Sequence, residues 1–474
     1  MEQIIFILGS NWKLSLAELD VFLKSKTFKG KIVDYSSNIA VVEFEKLLEE
    51  KYYVDKLEQL QYYLGGTQKI GRVFEFINLN FLKQAFPVHI HNFNEVREKR
   101  DRIKRDLDNA LTQIFPTIKD KKIFFAVSIY PELFDKDYYK NVLVKHFLPF
   151  LNKTISKKLK KKGAKKAIYF RYPQEKIDSG NLNPIFPHHV IRYELLKEHR
   201  AEIIFGITEE GCYIARTFTA DNPNFKRKID EKRPFKDYKD SIPPKLAIMM
   251  LNFLKIVKNR HQNKILDLFV GNGDIALFAL VEDFLFYGTD EDQEAIKKTI
   301  KNVKWLQNEL KLDPIPNLNE RFKKVNLNHL SNKFDPQFFD GIVTKPNLGP
   351  FYTEKPYYTQ AVELVEKKLQ PMYKKIFKET EKILKPGGRI CIIAPSISIM
   401  DDKKDLRLNI ENIAIQNNFK KIPLITSKRI ANKSNEHLQF RKNKLYSIMD
   451  AKKGQIIKRK LYVFEKKQNG SMNN

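Results

Sequence analysis

The feature that most constrains the fold is an apolar run closed by a glycine turn, Lys264-Ile265-Leu266-Asp267-Leu268-Phe269-Val270-Gly271-Asn272-Gly273-Asp274. A strand that ends in closely spaced glycines and passes into a helix can turn sharply. It can also approach a ligand with no Cβ in the way. Asp290 follows at the end of a second strand, Phe284 to Thr289. A carboxylate there accepts hydrogen bonds from both ribose hydroxyls of an adenosine-bearing ligand. Read alone, Gly271-Asn272-Gly273-Asp274-Ile275-Ala276 also fits the dinucleotide fingerprint G-x-G-x-x-A. Strand and helix then alternate to Phe464, the pattern of an open α/β sheet.

Three features favour a methyltransferase over a nicotinamide or flavin enzyme. Asp267, just before the turn, resembles the acid that methyltransferases hold near the methionine amine. Phe339-Asp340-Gly341-Ile342-Val343-Thr344-Lys345-Pro346 looks like a fourth strand ending at a substrate loop. Leu384-Lys385-Pro386-Gly387-Gly388-Arg389-Ile390-Cys391-Ile392-Ile393-Ala394-Pro395 is similar to the helix, turn and strand common to class I methyltransferases.

The N-terminal half reads as mixed α and β. Ile4 to Leu8 is a short apolar strand, closed by Gly9-Ser10-Asn11. A helix is expected to start at Ser15, because Ser15 and Glu18 have capping-box spacing before Leu19, Phe22 and Leu23. Ile39 to Phe44 and Lys122 to Ser128 read as further strands. Arg97, Lys99, Arg100, Arg102, Lys104 and Arg105 spread around a helix. A denser basic stretch, Lys157, Lys158, Lys160, Lys161, Lys162, Lys165 and Lys166, flanks Gly163 and ends at the apolar strand Ala167 to Phe170. Charge runs are often only solvated faces, but the second stretch suits a phosphate-contacting edge. Between 181 and 240, proline turns alternate with Ala201 to Phe205 and Cys212 to Ala215, as in a hairpin. A helix then opens after Pro243-Pro244 and runs through Leu246, Met249, Met250, Phe253 and Leu254. There is no internal repeat.

With 474 residues, 42% hydrophobic and 12% aromatic, the chain is a folded protein of two or three domains. Cys212 and Cys391 lie far apart, which argues against a disulfide framework or a structural zinc site. The histidines, including His188 and His189, have no metal-ligand spacing, so no metal is expected. No apolar run is long enough to span a membrane and no signal peptide is evident, so a cytoplasmic location is expected. The net charge of +29 favours a polyanionic partner. Part of the lysine excess is what an AT-biased coding sequence gives, so charge supports a nucleic-acid reading without establishing it.

Taken together, the motifs resemble the THUMP-containing methyltransferases that modify N2 of the guanine at position 10 of tRNA. Ser241-Ile242-Pro243-Pro244-Lys245-Leu246-Ala247 is similar to the segment that opens that family's catalytic domain. Tyr213-Ile214-Ala215-Arg216-Thr217, Arg233-Pro234 and Asp237 also match. Leu64-Gly65-Gly66-Thr67-Gln68-Lys69-Ile70, Phe6-Ile7-Leu8-Gly9 and Ser15-Leu16-Ala17-Glu18-Leu19 are similar to its N-terminal region. The resemblance implies an α/β protein. A THUMP-like RNA-binding α+β module would lie within 1–175, a connecting hairpin region at 176–240, a Rossmann-like class I methyltransferase domain at 241–466 and a disordered tail at 467–474. It implies S-adenosylmethionine as cofactor and tRNA as partner, and leaves room for a protein activator. By position, Asp267, Phe269, Gly271 and Gly273 would line the methionine end. Asp290 would face the ribose and Asn326 the adenine, where the family commonly has Asp.

The substrate loop departs from the family. Relatives carry an acid, a proline and an aromatic, because an acceptor orients the amine lone pair and a ring stacks on the base. Here the loop reads Thr344-Lys345-Pro346-Asn347-Leu348-Gly349-Pro350. A protonated lysine has no acceptor. Lys345, Pro346 and Asn347 are the candidate catalytic positions. In one reading the amide oxygen of Asn347 and nearby backbone carbonyls replace the acid, and Phe351 or Tyr352 stacks on the base. In the alternative the chain is a degenerate relative that binds RNA without transferring a methyl group. A DNA adenine or ribosomal RNA methyltransferase is a third reading, disfavoured by the N-terminal half.

Overall fold

Ile4-Ile5-Phe6-Ile7-Leu8 is apolar at every position, which suits a strand covered on both faces. That is its place in the computed structural model, which describes residues 2–45, 50–131, 136–180, 184–238, 240–256, 259–402, 404–440 and 444–468. β1 (Gln3–Leu8) sends Ile4, Phe6 and Leu8 into one core and Ile5 and Ile7 into another. It pairs antiparallel with β3 (Ile39–Phe44) and β4 (Thr67–Asn78). With β2 (Gly30–Tyr35), β5 (Lys122–Tyr130), β6 (Lys166–Tyr169), β7 (Arg200–Ile207) and β8 (Gly211–Ala220) it forms an 8-stranded sheet ordered β2-β3-β1-β4-β8-β7-β5-β6. The expected hairpin is β7 and β8, and it is built into this sheet. β8 runs along β4 from Lys69 opposite Ala220 to Asn78 opposite Gly211. Helices Leu79–Ala85, Phe93–Ile114 and Leu148–Lys161 bury their apolar stripes against β5, β7 and β8, around Phe86, Phe125, Phe147 and Phe205.

The first helix starts earlier than its sequence suggests. It spans Trp12–Leu23, with Asn11 as cap accepting from the Leu14 amide at 3.4 Å. The Ser15 and Glu18 side chains turn to other work. Ser15 Oγ accepts from the Gly9 amide at 3.3 Å. Glu18 is fully buried and accepts from the amides of Gly65 (2.9 Å) and Gly66 (2.8 Å) and from Asn252 Nδ2 (2.7 Å). Burial pushes its carboxyl up to about 7 against these bonds. A Cβ at Gly65 would lie 2.6 Å from the Lys245 carbonyl oxygen, and one at Gly66 would lie 2.6 Å from Ser15 Oγ. Three of the segments that carry the family resemblance thus meet at one junction between the two halves of the chain.

Among the described residues the second sheet has nine strands. β9 (Lys264–Asp267), β10 (Leu285–Asp290), β11 (Phe322–Lys324) and β12 (Phe339–Thr344) are parallel, and β13 (Leu384–Ile397) continues beside β12. β14 (Leu406–Arg407) edges β13, and β15 (Phe419–Lys421) lies further out. β16 (Ile425–Thr426) and β17 (Lys444–Leu445) form a separate ribbon, followed by β18 (Ser447–Asp450) and β19 (Ile457–Lys466). The order β11-β10-β9-β12-β13-β19-β15 reverses between β9 and β12, and β19 is antiparallel to β13. This is the Rossmann-like arrangement expected, with the ligand crevice at the carboxyl ends of β9 and β12.

The C-terminal half also reaches back. Ile425, Ile430 and Leu438 pack into the core beneath β1 to β4. Tyr35 Oη donates to the Leu438 carbonyl at 2.8 Å, Lys433 pairs with buried Asp34, and Arg429 Nε donates to Asp20 at 3.0 Å. No described helix is long and apolar enough to cross a membrane. The tail expected to be disordered lies outside the described residues from 469 onward.

Candidate active site

Asp267 closes β9 and Thr344 closes β12, its parallel neighbour, so their side chains meet. Thr344 Oγ1 donates to Asp267 Oδ1 at 2.7 Å, and the Phe269 amide donates to the same oxygen at 3.1 Å. Burial pushes the Asp267 carboxyl up to about 7, opposed chiefly by these two bonds; the Asp290 charge raises it further and the Lys345 charge lowers it.

Asp290, at the end of β10, accepts from the Gly271 amide at 3.0 Å through Oδ2 and from the Asp292 amide at 3.0 Å through Oδ1. A carboxylate has about four lone-pair sites, so acceptor capacity remains on each oxygen. Gly271 and Gly273 have φ of +53° and +85°, the left-handed region where glycine is least strained. A Cβ on Gly271 would meet nothing within 4 Å, whereas one on Gly273 would lie 3.2 Å from Thr299 Cγ2. Gly271 therefore fronts open space and Gly273 packs inward. Phe269 is half-buried and packs against the core that contains Leu266 and Leu268. Asn326 is exposed, and its side-chain oxygen accepts from the Asn328 amide at 2.9 Å. The Val325 amide donates to the Asp290 carbonyl at 2.8 Å, which brings Asn326 beside the end of β10.

Several bracing residues escaped the sequence reading. Thr299 Oγ1 donates to the Gly271 carbonyl at 2.7 Å, and Asn302 Nδ2 donates to the Asn272 carbonyl at 2.8 Å. Both are fully buried on the helix Gln293–Leu310. Polar residues three apart on the apolar side of an amphipathic helix were the readable signal. Asn302 also exchanges two bonds with the Phe235 backbone, of 2.9 and 2.8 Å. Arg233 pairs with Asp274 at 2.5 Å, and Asp274 Oδ2 accepts from the Ile242 amide at 2.7 Å. Burial raises the Asp274 carboxyl and Arg233 opposes the rise. These bonds clamp the segment before Pro243-Pro244 to the helix that follows the glycine turn.

The loop expected to receive the substrate differs in kind. Lys345 is buried, and its Nζ donates to Asp240 Oδ1 at 2.6 Å. Pro346 is buried and Asn347 exposed. The Asn347 side-chain oxygen accepts from the Gly349 amide at 2.8 Å, folding the loop back at Gly349, whose φ is +121°. Beyond it, Phe351 is 76% exposed and Tyr352 half-buried.

The dense lysine stretch runs along the end of the helix Leu148–Lys161 to edge strand β6. Lys157, Lys160, Lys161, Lys165 and Lys166 are exposed. Lys158 and Lys162 instead pair with Asp108 at 3.3 and 3.4 Å, tying this helix to Phe93–Ile114. His188 and His189 have ring centroids 4.0 Å apart, and His189 Nδ1 accepts from the Phe186 amide at 3.3 Å. Among the described residues, no group of three or more His, Cys, Asp or Glu side chains is placed to hold a metal ion.

Residues 259–453 match a family model described as a methyltransferase domain. Among curated proteins, none matches the sequence. Similar solved structures include TrmN from Thermus thermophilus, at 13% identity over 98% of this chain and 100% of that chain, with a TM-score of 0.49. A possible methylase from Clostridium difficile 630 is 13% identical over 100% of both chains, with a TM-score of 0.44. SMU.472 complexed with SAH is 10% identical over 99% of both chains, with a TM-score of 0.46.

Proposed function

Starting from a class I methyltransferase domain with S-adenosylmethionine as its cofactor, we propose that the protein is an RNA methyltransferase acting on N2 of a guanine in tRNA. One observation carries this reading. The carboxyl ends of β9, β10 and β12 bring together an open glycine cradle, two carboxylates and a loop at their lip.

The residues fit the cofactor. A Cβ on Gly271 would meet nothing within 4 Å, and that open space is where the methionine end would lie. Asp267 takes the methionine ammonium, and Asp290 uses its spare lone pairs on the ribose hydroxyls. The Asn326 amide nitrogen stays available to donate to the adenine ring once its oxygen is engaged by Asn328. Bound there, S-adenosylmethionine supplies an electrophilic methyl group.

The protein's part is then to orient the guanine amine, a weak nucleophile because its lone pair is delocalised into the ring. Asn347 retains a second lone pair on its oxygen. With the backbone carbonyls of Lys345 and Pro346 it accepts from the amine, while Phe351 stacks on the base. The N-terminal sheet and its helices form a THUMP-like module. The exposed lysines from Lys157 to Lys166 contact tRNA phosphates there. The net charge and the family resemblance of the N-terminal motifs support this assignment.

A second reading is favoured by one observation, the buried ammonium of Lys345 where an amine-orienting acceptor is needed. In that reading the protein holds cofactor and RNA without transfer. Labelled S-adenosylmethionine, unmodified tRNA transcripts and nucleoside mass spectrometry separate the two. N2-methylguanosine is the expected product. Binding of both ligands with no labelled product would establish the non-catalytic reading.

A further inference from the structure

Beside the loop expected to receive the substrate, large apolar side chains stand in water. β13 runs on past the end of β12, because Thr344 pairs with Ile392 and the strand continues to Ile397. The chain just after it carries Met400, and the loop beyond Asn347 returns to the same place. The Met400 amide donates to the Pro356 carbonyl at 3.0 Å, and the Tyr358 amide donates to Asp401 Oδ1 at 3.1 Å. Tyr357, Tyr358 and Met400 are thereby held as neighbours, and they are 56, 51 and 49% exposed. Phe351 lies earlier in the same loop. A single exposed apolar residue needs no explanation, but three pinned together mark a surface that meets something.

The charges nearby narrow what that is. Met400 lines a cleft of about 400 Å³ with Lys355, Asp401, Asp402, Asp405 and Lys458, a volume within the range of small-ligand sites. Asp405 is matched by Lys458 at 2.8 and 2.9 Å and by the hydroxyls of Ser396 and Ser398. Three carboxylates and two ammonium groups leave no net attraction for a phosphate. A neutral flat ring, by contrast, gains the faces of two tyrosines and a polarizable thioether. The backbone bonds that fix this segment reduce the freedom it loses on binding.

We propose that Tyr357, Tyr358 and Met400 form a stacking platform for a second nucleobase, carried by a nucleotide next to the one methylated. The preferred substrate then presents its target in an unstacked stretch of RNA, since a base inside a continuous helix offers no free face. The inference rests on the RNA reading proposed above. It adds a position that neither Phe351 nor the glycine turn supplies.

The test uses the full chain, saturating S-adenosylhomocysteine and unmodified tRNA transcripts. Ultraviolet cross-linking and peptide mass spectrometry are expected to join RNA to the peptides that hold Tyr357, Tyr358 or Met400. The double variant Tyr357→Ala, Tyr358→Ala is expected to bind tRNA on the order of tenfold more weakly. Its dependence on salt should keep the wild-type slope, because stacking releases no counterions. Tyr357→Phe with Tyr358→Phe keeps the rings and should bind as the wild type does. A fully paired RNA duplex should bind the wild type and the alanine variant equally. Unchanged affinity for S-adenosylhomocysteine shows that the alanine variant is folded. A shallower salt slope in that variant would place phosphates on this surface, and the inference would be overturned. It is overturned as well if the variant binds tRNA normally and cross-links arise at Phe351 but not on the platform; the RNA reading then stands. If the wild type binds no tRNA, the RNA reading itself falls, and this inference with it.

Discussion

The two sides of the proposed active-site crevice are built on different terms. On the cofactor side, each hydrogen bond holds backbone and leaves a face open. Asp290 fastens the Gly271 amide and Thr299 the Gly271 carbonyl, and the space in front of that glycine stays clear. On the substrate side, the polar groups are spent on one another, Lys345 on Asp240 and Asn347 on the Gly349 amide. The difference lies in what each task demands. Holding an adenosyl ligand requires a particular backbone path, which buried polar groups enforce. Orienting a base amine requires only one acceptor at the right height, and an exposed loop can supply it from a side chain or from a carbonyl.

The sharpest way to break this comparison is at Gly271. A valine there is strained at a φ of +53° and fills the open space. Gly271→Val is expected to weaken binding of S-adenosylhomocysteine on the order of a hundredfold or more, as measured by calorimetry. Gly454→Ala is the control. Gly454 has a φ of +81° and equally open surroundings but lies in the turn between β18 and β19 rather than in the glycine turn after β9, so Gly454→Ala should bind normally. Normal binding by Gly271→Val would mean the methionine end lies elsewhere.

The substrate side should respond in the opposite sense. Lys345→Asp restores an acceptor at the end of β12 and is expected to raise methyl transfer to tRNA about tenfold. A variant that binds both partners yet transfers nothing would show that the defect, if any, is not at this residue. Asn347→Ala removes one acceptor and the bond to Gly349. Turnover is expected to fall about tenfold, with cofactor affinity changed less than twofold. An equal loss of both would mean that Asn347 supports the crevice rather than the base.

How much of this was legible beforehand follows the same division. The glycine turn, Asp267 and Asp290 are close in sequence and stand where the strand and helix pattern put them, because a strand–turn–helix is specified locally. The hairpin at 200–220 was recognised as a hairpin but not as the seam of the first sheet. Its partner β4 lies far away in sequence, and strand pairing over such distances leaves no periodic trace. The capping box at Ser15 and Glu18 was misread for a related reason. Asn11 is the better placed cap, and Glu18 answers to Gly65, Gly66 and Asn252, none of them its sequence neighbours. The salt bridge of Lys345 to Asp240 was equally invisible, being a contact across more than a hundred positions of chain.

The smallest expected effect is on stability, and it compares the crevice with the junction between the two halves of the chain. Asp267 and Glu18 are both buried acids pushed up to about 7, mainly by loss of hydration. In the unfolded chain they titrate near 4 to 4.5. Between those values the native protein binds more protons than the unfolded one, so stability falls as pH rises from about 4.5 to about 7, then levels off. For Glu18 the linked change is on the order of 3 kcal/mol at most. Urea unfolding at pH 5, 6, 7 and 8 should show the decline, and Glu18→Gln should flatten part of it. Saturating S-adenosylhomocysteine separates the two acids. Its ammonium favours the charged form of Asp267 and cannot reach the junction, so ligand-induced stabilisation should grow between pH 6 and pH 7.5. Asp267→Asn should abolish that growth, whereas Glu18→Gln should leave it intact. If the ligand instead stabilises the protein equally at every pH, Asp267 does not face the methionine ammonium, and the acid on the cofactor side acts only to hold Thr344 and Phe269 in place.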